Sequence, residues 1–170
     1  MSPDIVIRPL TKDDAAQWRE LRLEALRKYP TAFASAYEEA LQQDLSARIP
    51  PPDSPSVLFG AFANGALSGS AGLHVWPGLK QRHKAELWGM YVAPALHRRG
   101  VGSALLRAVI DHARPRVAVV QLTVLRANSA AMALYEQFGF VSFGTEKRAL
   151  RHQGVDHDDE LMALDLGNGL

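Results

Sequence analysis

Residues 117–125 read Val-Ala-Val-Val-Gln-Leu-Thr-Val-Leu, an almost unbroken apolar and β-branched run. The run is far shorter than the ~18–20 residues that a membrane span needs. It suits instead a strand covered on both faces. Such a strand exists only inside a layered structure, with a sheet packed between other elements. The sequence around it agrees. Residues 100–114 place Val101, Leu105, Val109 and Ala113 on one helical face, and Pro115 stops the helix. Residues 128–138 form another helix, closed by Gly139 at the left-handed cap position.

The rest of the chain fills in the layers. Residues 5–8 are a short strand ended by Pro9. Thr11 reads as an N-cap, with Asp13 and Asp14 in the first turn, where negative charge suits the helix dipole. Ala15, Trp18, Leu21 and Ala25 then recur at helical spacing until Pro30. A weaker helix is expected over 38–48, with Leu41 and Leu45 one turn apart. The prolines at 50, 51, 52 and 55 make an exposed connector, because proline lacks a backbone donor. Asn64-Gly65, between strands 57–63 and 66–76, is the signature of a two-residue type I′ hairpin. A strand over 85–92 is stopped by Pro94, and strands over 140–150 and 161–166 close the chain, with a turn at Gln153-Gly154. The order β-α-α-β-β-β-α-β-α-β-β predicts a mixed α/β (α+β) fold on one sheet. At ~100–150 residues per domain, a single domain spanning 1–170 is expected.

Composition excludes several classes of function. A net charge of +1 and an acidic tail's absence argue against a nucleic-acid binder. No apolar run is long enough for a membrane partner, and Met1-Ser2-Pro3-Asp4 shows no signal peptide. The chain has no cysteine, which removes disulfides, thiolate metal sites and a cysteine nucleophile, and fits a cytoplasmic protein. Fourteen of the nineteen basic residues are arginine, the side chain that grips planar anions as a fork.

Two stretches carry chemistry. In Val92-Ala93-Pro94-Ala95-Leu96-His97-Arg98-Arg99-Gly100-Val101-Gly102-Ser103, a strand ends, a basic turn follows, and a helix opens on two glycines. Free N–H groups at a helix start carry partial positive charge, and glycines let an anion approach closely. The turn is either a pyrophosphate cradle, with Arg98 and Arg99 adding charge, or simply a tight turn. A dinucleotide fingerprint would need a third glycine and an early position, and a Walker loop would need Gly-Lys-Ser/Thr; both are absent. The second stretch is Asn128-Ser129-Ala130-Ala131-Met132-Ala133-Leu134-Tyr135-Glu136-Gln137-Phe138-Gly139-Phe140. Asn128 and Tyr135 are two helical turns apart on one face, ~10 Å along the axis. Taken alone, Asn128 reads as an N-cap and Tyr135 as a half-buried aromatic.

Together the two stretches resemble the GCN5-related N-acetyltransferase (GNAT) superfamily. Gly100 and Gly102 match its Q/R-x-x-G-x-G/A pyrophosphate motif. Asn128, Ala131, Leu134, Tyr135, Gly139 and Phe140 match its N-x-x-A-x-x-L-Y-x-x-x-G-F helix. His97 stands where the family carries Gln or Arg, with Arg98 and Arg99 beside it. The resemblance is sharp over 85–140. It implies a single-domain acyl-CoA N-acyltransferase fold, with a central, mostly antiparallel sheet splayed at its middle and flanked by helices. The implied reaction is transfer of an acetyl group from acetyl-CoA to a primary amine, without a metal. The cofactor-binding set would be Met90, Tyr91, Val92, His97, Arg98, Arg99, Gly100, Val101, Gly102, Ser103, Asn128 and Tyr135. Pantetheine would bond along 90–92, Gly89 would be a bulge, and the N–H of Met90 or Tyr91 would face the oxyanion.

An amine attacks only when neutral, so a base is useful. Glu86, Trp88 and Met90 alternate along one strand and are expected to share a face. If that face is the cleft, Glu86 is the base; otherwise it is a solvated carboxylate. Tyr135 would be the general acid, since a phenol near pKa 10 stays protonated. With no cysteine, direct attack in a ternary complex is the simplest route. Tyr37 and Trp88 are candidate substrate-binding residues, while Trp18 is expected in the core. His74 and His83 read as edge or core residues, and the acidic run 156–160 as a solvated hairpin that could alternatively attract a cationic amine. The expected partner is a small-molecule or peptide amine acceptor, with a homodimer as the family's possible assembly. A non-catalytic acyl-CoA-binding module on the same fold is the alternative function.

Overall fold

The computed structural model describes residues 3–167. Met1 and Ser2, on which part of the signal-peptide reading falls, lie outside the described residues. A seven-stranded sheet runs in the order β1-β2-β3-β4-β5-β7-β6. Its strands are β1 Ile5–Pro9, β2 Val57–Ala63, β3 Ala66–Val75, β4 Lys84–Val92, β5 Val119–Leu125, β6 Val141–His152 and β7 Val155–Asp165. All neighbouring pairs are antiparallel except β4 with β5, which is parallel. The helices are α1 Ala15–Lys28, α2 Tyr37–Leu41, α3 Val101–Ala113 and α4 Ser129–Gln137. Among the described residues, no helix is long and apolar enough to cross a membrane.

Side-chain alternation sorts the sheet into two cores. Phe59, Ala61, Leu73, Leu87 and Val120 face α3, joined by Tyr135 and Phe140. Leu58 and Phe62 face the other way, against Trp18 and Leu26 of α1. The Asn64-Gly65 turn has φ of 49° and 84°, the left-handed pair that a type I′ hairpin requires. The helix expected over 38–48 is broken: α2 ends at Leu41, and a separate 3₁₀ turn covers Leu45–Arg48. Asp44 caps that turn by accepting from the Ser46 N–H at 3.0 Å, so its side chain competes with helix continuation. The last strand begins at Val155 rather than 161, because residues 155–160 pair with β6 across the Gln153-Gly154 turn.

Strand β5 departs from expectation in an instructive way. Val120, Leu122 and Val124 are buried, but Thr123 on the other face is exposed. The apolar run is therefore covered on one face and open on the other.

The start of α1 is tied down by Asp14, which is 6% exposed. Its carboxylate takes a two-pronged contact from Arg8, Nη1 and Nη2 each at 2.8 Å, and accepts the Thr11 N–H at 2.8 Å. These bonds, Arg8's above all, hold the Asp14 carboxyl down to about 2. A depressed carboxyl stabilises the fold above its unfolded pKa of about 3.9, and the contribution is lost as pH falls through about 2. Asp14→Asn should lower the melting temperature at neutral pH, and the gap to wild type should narrow as pH drops from about 5 to about 2. A gap independent of pH in thermal scans would count against this role.

Candidate active site

The site grows from a fork in the sheet. Strands β4 and β5 pair only at Lys84–Val119, Ala85–Val120 and Glu86–Gln121. Beyond Glu86 the two strands part. Gly89 has φ +63°, and the β3–β4 register slips between Ser70 and Gly72, so β4 bulges there. The bulge reverses which face each residue presents. Trp88 packs with the α1 core, edge to face with Trp18 at 6.0 Å. Met90 instead packs with the α3 core, its Cε 3.6 Å from where a Cβ on Gly102 would lie. The expected shared face of Glu86, Trp88 and Met90 thus ends at Trp88, because the inserted residue breaks the period of two.

The far end of β4 offers its backbone to the gap. The Ala93 N–H donates to the Ser68 carbonyl on β3 at 2.8 Å. Antiparallel alternation then turns the Tyr91 N–H toward β3, and the Val92 N–H and C=O toward the fork. The Tyr91 side chain points to α1, where its hydroxyl donates to Glu24 Oε1 at 2.8 Å. Tyr91 therefore anchors the strand, and its N–H is not turned to the gap. His97, at the position where a Gln or Arg was the pattern, folds its Nε2 onto the Val92 carbonyl at 2.8 Å.

Next to this end stands the start of α3. Gly100 takes φ +75° as its N-cap, Arg98 takes φ +60°, and no side chain caps the first turn. The first-turn N–H groups of Val101, Gly102 and Ser103 are left for an outside acceptor. A Cβ on Gly102 would meet Leu134, Met90 and Val92 at 3.5–4.0 Å, so this glycine lies between helix α4 and the parted strand. Arg98 and Arg99 are exposed beside it. An uncapped helix start flanked by arginines fits a pyrophosphate.

The gap itself is a narrow throat of about 130 Å³. Asn128, Ala131, Leu134 and Tyr135 of the α4 segment line one wall, with Gly89 and Met90 on another. Asn128 is the N-cap of α4, its Oδ1 accepting the Ala131 N–H at 3.1 Å. Capping and lining are thus combined in one residue. Tyr135 is 6% exposed, and burial alone pushes its phenol up to about 12.

The throat opens into a larger cavity of about 650 Å³ over the uncovered face of β5. Glu86, the last residue before the fork, lines it, together with Trp88, Thr123 and Leu125. His74 is the cross-strand partner of Glu86 and lines the same wall. Sequence reasoning gave His74 no role, since only the β3–β4 register brings it beside Glu86. Arg22, Phe33 and Asp159 also line the cavity, and of these Arg22 was missed as a site residue. Arg22 was hidden in an ordinary amphipathic helix pattern. Tyr37 lies outside this cavity, on grooves beside it, where α2 turns it away. The acidic run divides: Asp156 pairs with Arg148 and Arg151, and Asp158 with Lys147, whereas Asp159 alone turns to the cavity. Among the described residues, no group of three or more His, Asp or Glu side chains is placed to hold a metal ion.

A sheet forked at its parallel pair, with a glycine-opened helix at the mouth, defines an acyl-CoA acyltransferase fold. The acetyltransferase (GNAT) family model matches residues 16–140, and the chain belongs to that family. The N-alpha-acetyltransferase RimI of Mycobacterium tuberculosis is 39% identical over 97 residues, covering 57% of this chain and 60% of that protein. The match thus spans less than two thirds of that relative. Aminoglycoside N(6')-acetyltransferase type 1 of Klebsiella aerogenes is 29% identical over 141 residues, 78% of this chain and 90% of that one. The yncA structure from Salmonella typhimurium, determined with its cofactor acetyl-CoA, shares the fold at TM-score 0.80 and 22% identity, over 98% of this chain and 96% of that one.

Gly100 has open space where a Cβ would go, so only its left-handed backbone resists substitution. Gly100→Ala should cost about 1–2 kcal/mol of stability and weaken acetyl-CoA binding several-fold more than it weakens folding. Calorimetric titration checks this, and unchanged acetyl-CoA affinity would remove the cradle role from this turn.

Proposed function

We propose that the protein is an N-acetyltransferase that moves the acetyl group of acetyl-CoA to a primary amine by direct attack in a ternary complex. The observation that carries this reading is the fork: a throat lined by Asn128 and Tyr135 leads into a cavity whose first carboxylate is Glu86. Acetyl-CoA supplies an activated thioester. The first-turn amides of α3, with Arg98 and Arg99, hold its pyrophosphate, and the Val92 backbone bonds its pantetheine. The Met90 N–H is the oxyanion donor that remains once Tyr91 is turned to β3. The acceptor is a small-molecule or peptide amine, and the chain acts as one domain in the cytoplasm. The names of the relatives support an amine acceptor of this general kind.

Each side chain then has a task. The acceptor nitrogen loses a proton to Glu86, directly or through water, and its lone pair attacks the acetyl carbonyl carbon. The C–N bond forms, the C–S bond breaks, and sulfur leaves as thiolate. Tyr135 meets that sulfur with its hydroxyl. A phenol at about 12 is protonated at any working pH, but full transfer to a thiolate near pKa 8.5 is uphill. Its contribution is a hydrogen bond to the developing charge in a dry site, where such bonds are strong.

Free-thiol release with acetyl-CoA across a panel of amines tests the activity; no turnover of any amine would contradict it. Tyr135→Phe should lower kcat about 100-fold while leaving the acetyl-CoA KM nearly unchanged. Because the phenol stays protonated, wild-type kcat should show no loss from this group up to about pH 10. Glu86→Gln should lower kcat/KM about 100-fold, and an unchanged kcat/KM would reject Glu86 as the base.

A further inference from the structure

Two charged side chains in the cavity have no part in the transfer chemistry. Arg22 projects from α1, is 8% exposed, and its Nη1 has no hydrogen-bond partner. Its guanidinium lies over the Phe33 ring at 4.7 Å. Nη1 sits 4.0 Å from where a Cβ on Gly89 would be, so it reaches the bulge at the fork. Burial, and then the nearby charge of Arg48, pulls Arg22 down to about 10, which leaves it charged at neutral pH. Arg48 lines the same cavity. On the other side of the fork, Asp159 of β7 is 8% exposed, and its Oδ1 also has no partner.

A buried guanidinium nitrogen without a hydrogen-bond partner is costly, and an anion at that nitrogen would relieve the cost. The planar fork of arginine matches a carboxylate in particular. Gly89 lines the throat as well, so an anion held at Arg22 Nη1 would lie close to the throat's mouth. Asp159 reads the opposite sign, a donor farther along the same molecule. A simple polycation could use Asp159 but would leave Arg22 unpaired and would meet Arg22 and Arg48 as repulsion.

We infer that the acceptor is an α-amino acid, or a closely similar amine bearing a carboxylate, whose carboxylate binds Arg22 and whose side chain offers a hydrogen-bond donor to Asp159. The inference rests on the N-acetyltransferase reading of the site and names its substrate class.

The test compares, on the wild-type enzyme with acetyl-CoA, free amino acids bearing donor side chains with their carboxamides, with spermidine, with an aminoglycoside and with phosphoethanolamine. Free acids should exceed their carboxamides in kcat/KM by about 10- to 100-fold, the loss of one charge-assisted bond. Arg22→Gln should raise KM for the free acid and erase that preference with the acetyl-CoA KM little changed, and Arg22→Lys should restore part of it. Equal use of acid and carboxamide, or preference for spermidine, the aminoglycoside or phosphoethanolamine, would overturn the inference, and the comparison needs no variant to fold. If acetyl-CoA raises the melting temperature but no carboxylate-bearing amine is turned over, this inference alone falls. If acetyl-CoA neither stabilises the protein nor is consumed with any amine, the N-acetyltransferase reading falls with it.

Discussion

Everything in the site depends on how early β4 and β5 stop pairing. Three register pairs hold them together, and the last is Glu86–Gln121. Beyond it a strand in the middle of the sheet has lost a neighbour on one side. Backbone N–H and C=O groups need partners wherever they are buried, so a parted strand must be served by a ligand, by water or by a side chain. The Val92 carbonyl takes His97, while the Val92 N–H faces the gap. The Gly89 bulge belongs to the same feature. It lets β4 bend away from β5 while β4 stays paired with β3 through Tyr91 and Val92.

The fork also fixes which environment each functional group meets. Tyr135 lies in the narrow throat, where burial raises its phenol and keeps its proton. Glu86 lies where the throat widens. The β5 face that no helix covers becomes cavity wall, with Thr123 exposed and Leu125 half-buried along it. Arg22 and Asp159 stand on opposite sides of the opening, one on α1 and one on β7. A single departure from regular pairing thus separates a narrow throat from a wider charged chamber.

Much of this was legible in the sequence. The glycine pair at 100 and 102, the Asn128-to-Tyr135 spacing and the Asn64-Gly65 hairpin are local signals, each set by residues within a turn or two of one another. The hidden parts are long-range. The run 117–125 looked covered on both faces because apolar content reports burial, not which neighbour provides it, and here one neighbour is missing. The alternation of Glu86, Trp88 and Met90 fails at Gly89, because the bulge expected there inserts a residue and turns Met90 to the opposite face. Tyr37 is an aromatic in the right stretch of sequence, yet tertiary packing puts it on neighbouring grooves. Arg22 and Asp159 could not be singled out, since only tertiary packing shows that a charge lacks its partner.

The most direct measurement of the central claim is amide hydrogen exchange with and without acetyl-CoA. If the fork is the cofactor slot, acetyl-CoA should slow exchange at Met90 and Val92 on the parted strand, and at Gly102 and Ser103 in the first turn of α3. The amides of β2, paired on both sides, should not change. Acetyl-CoA binding that leaves the β4 end and the α3 start unprotected would contradict the account.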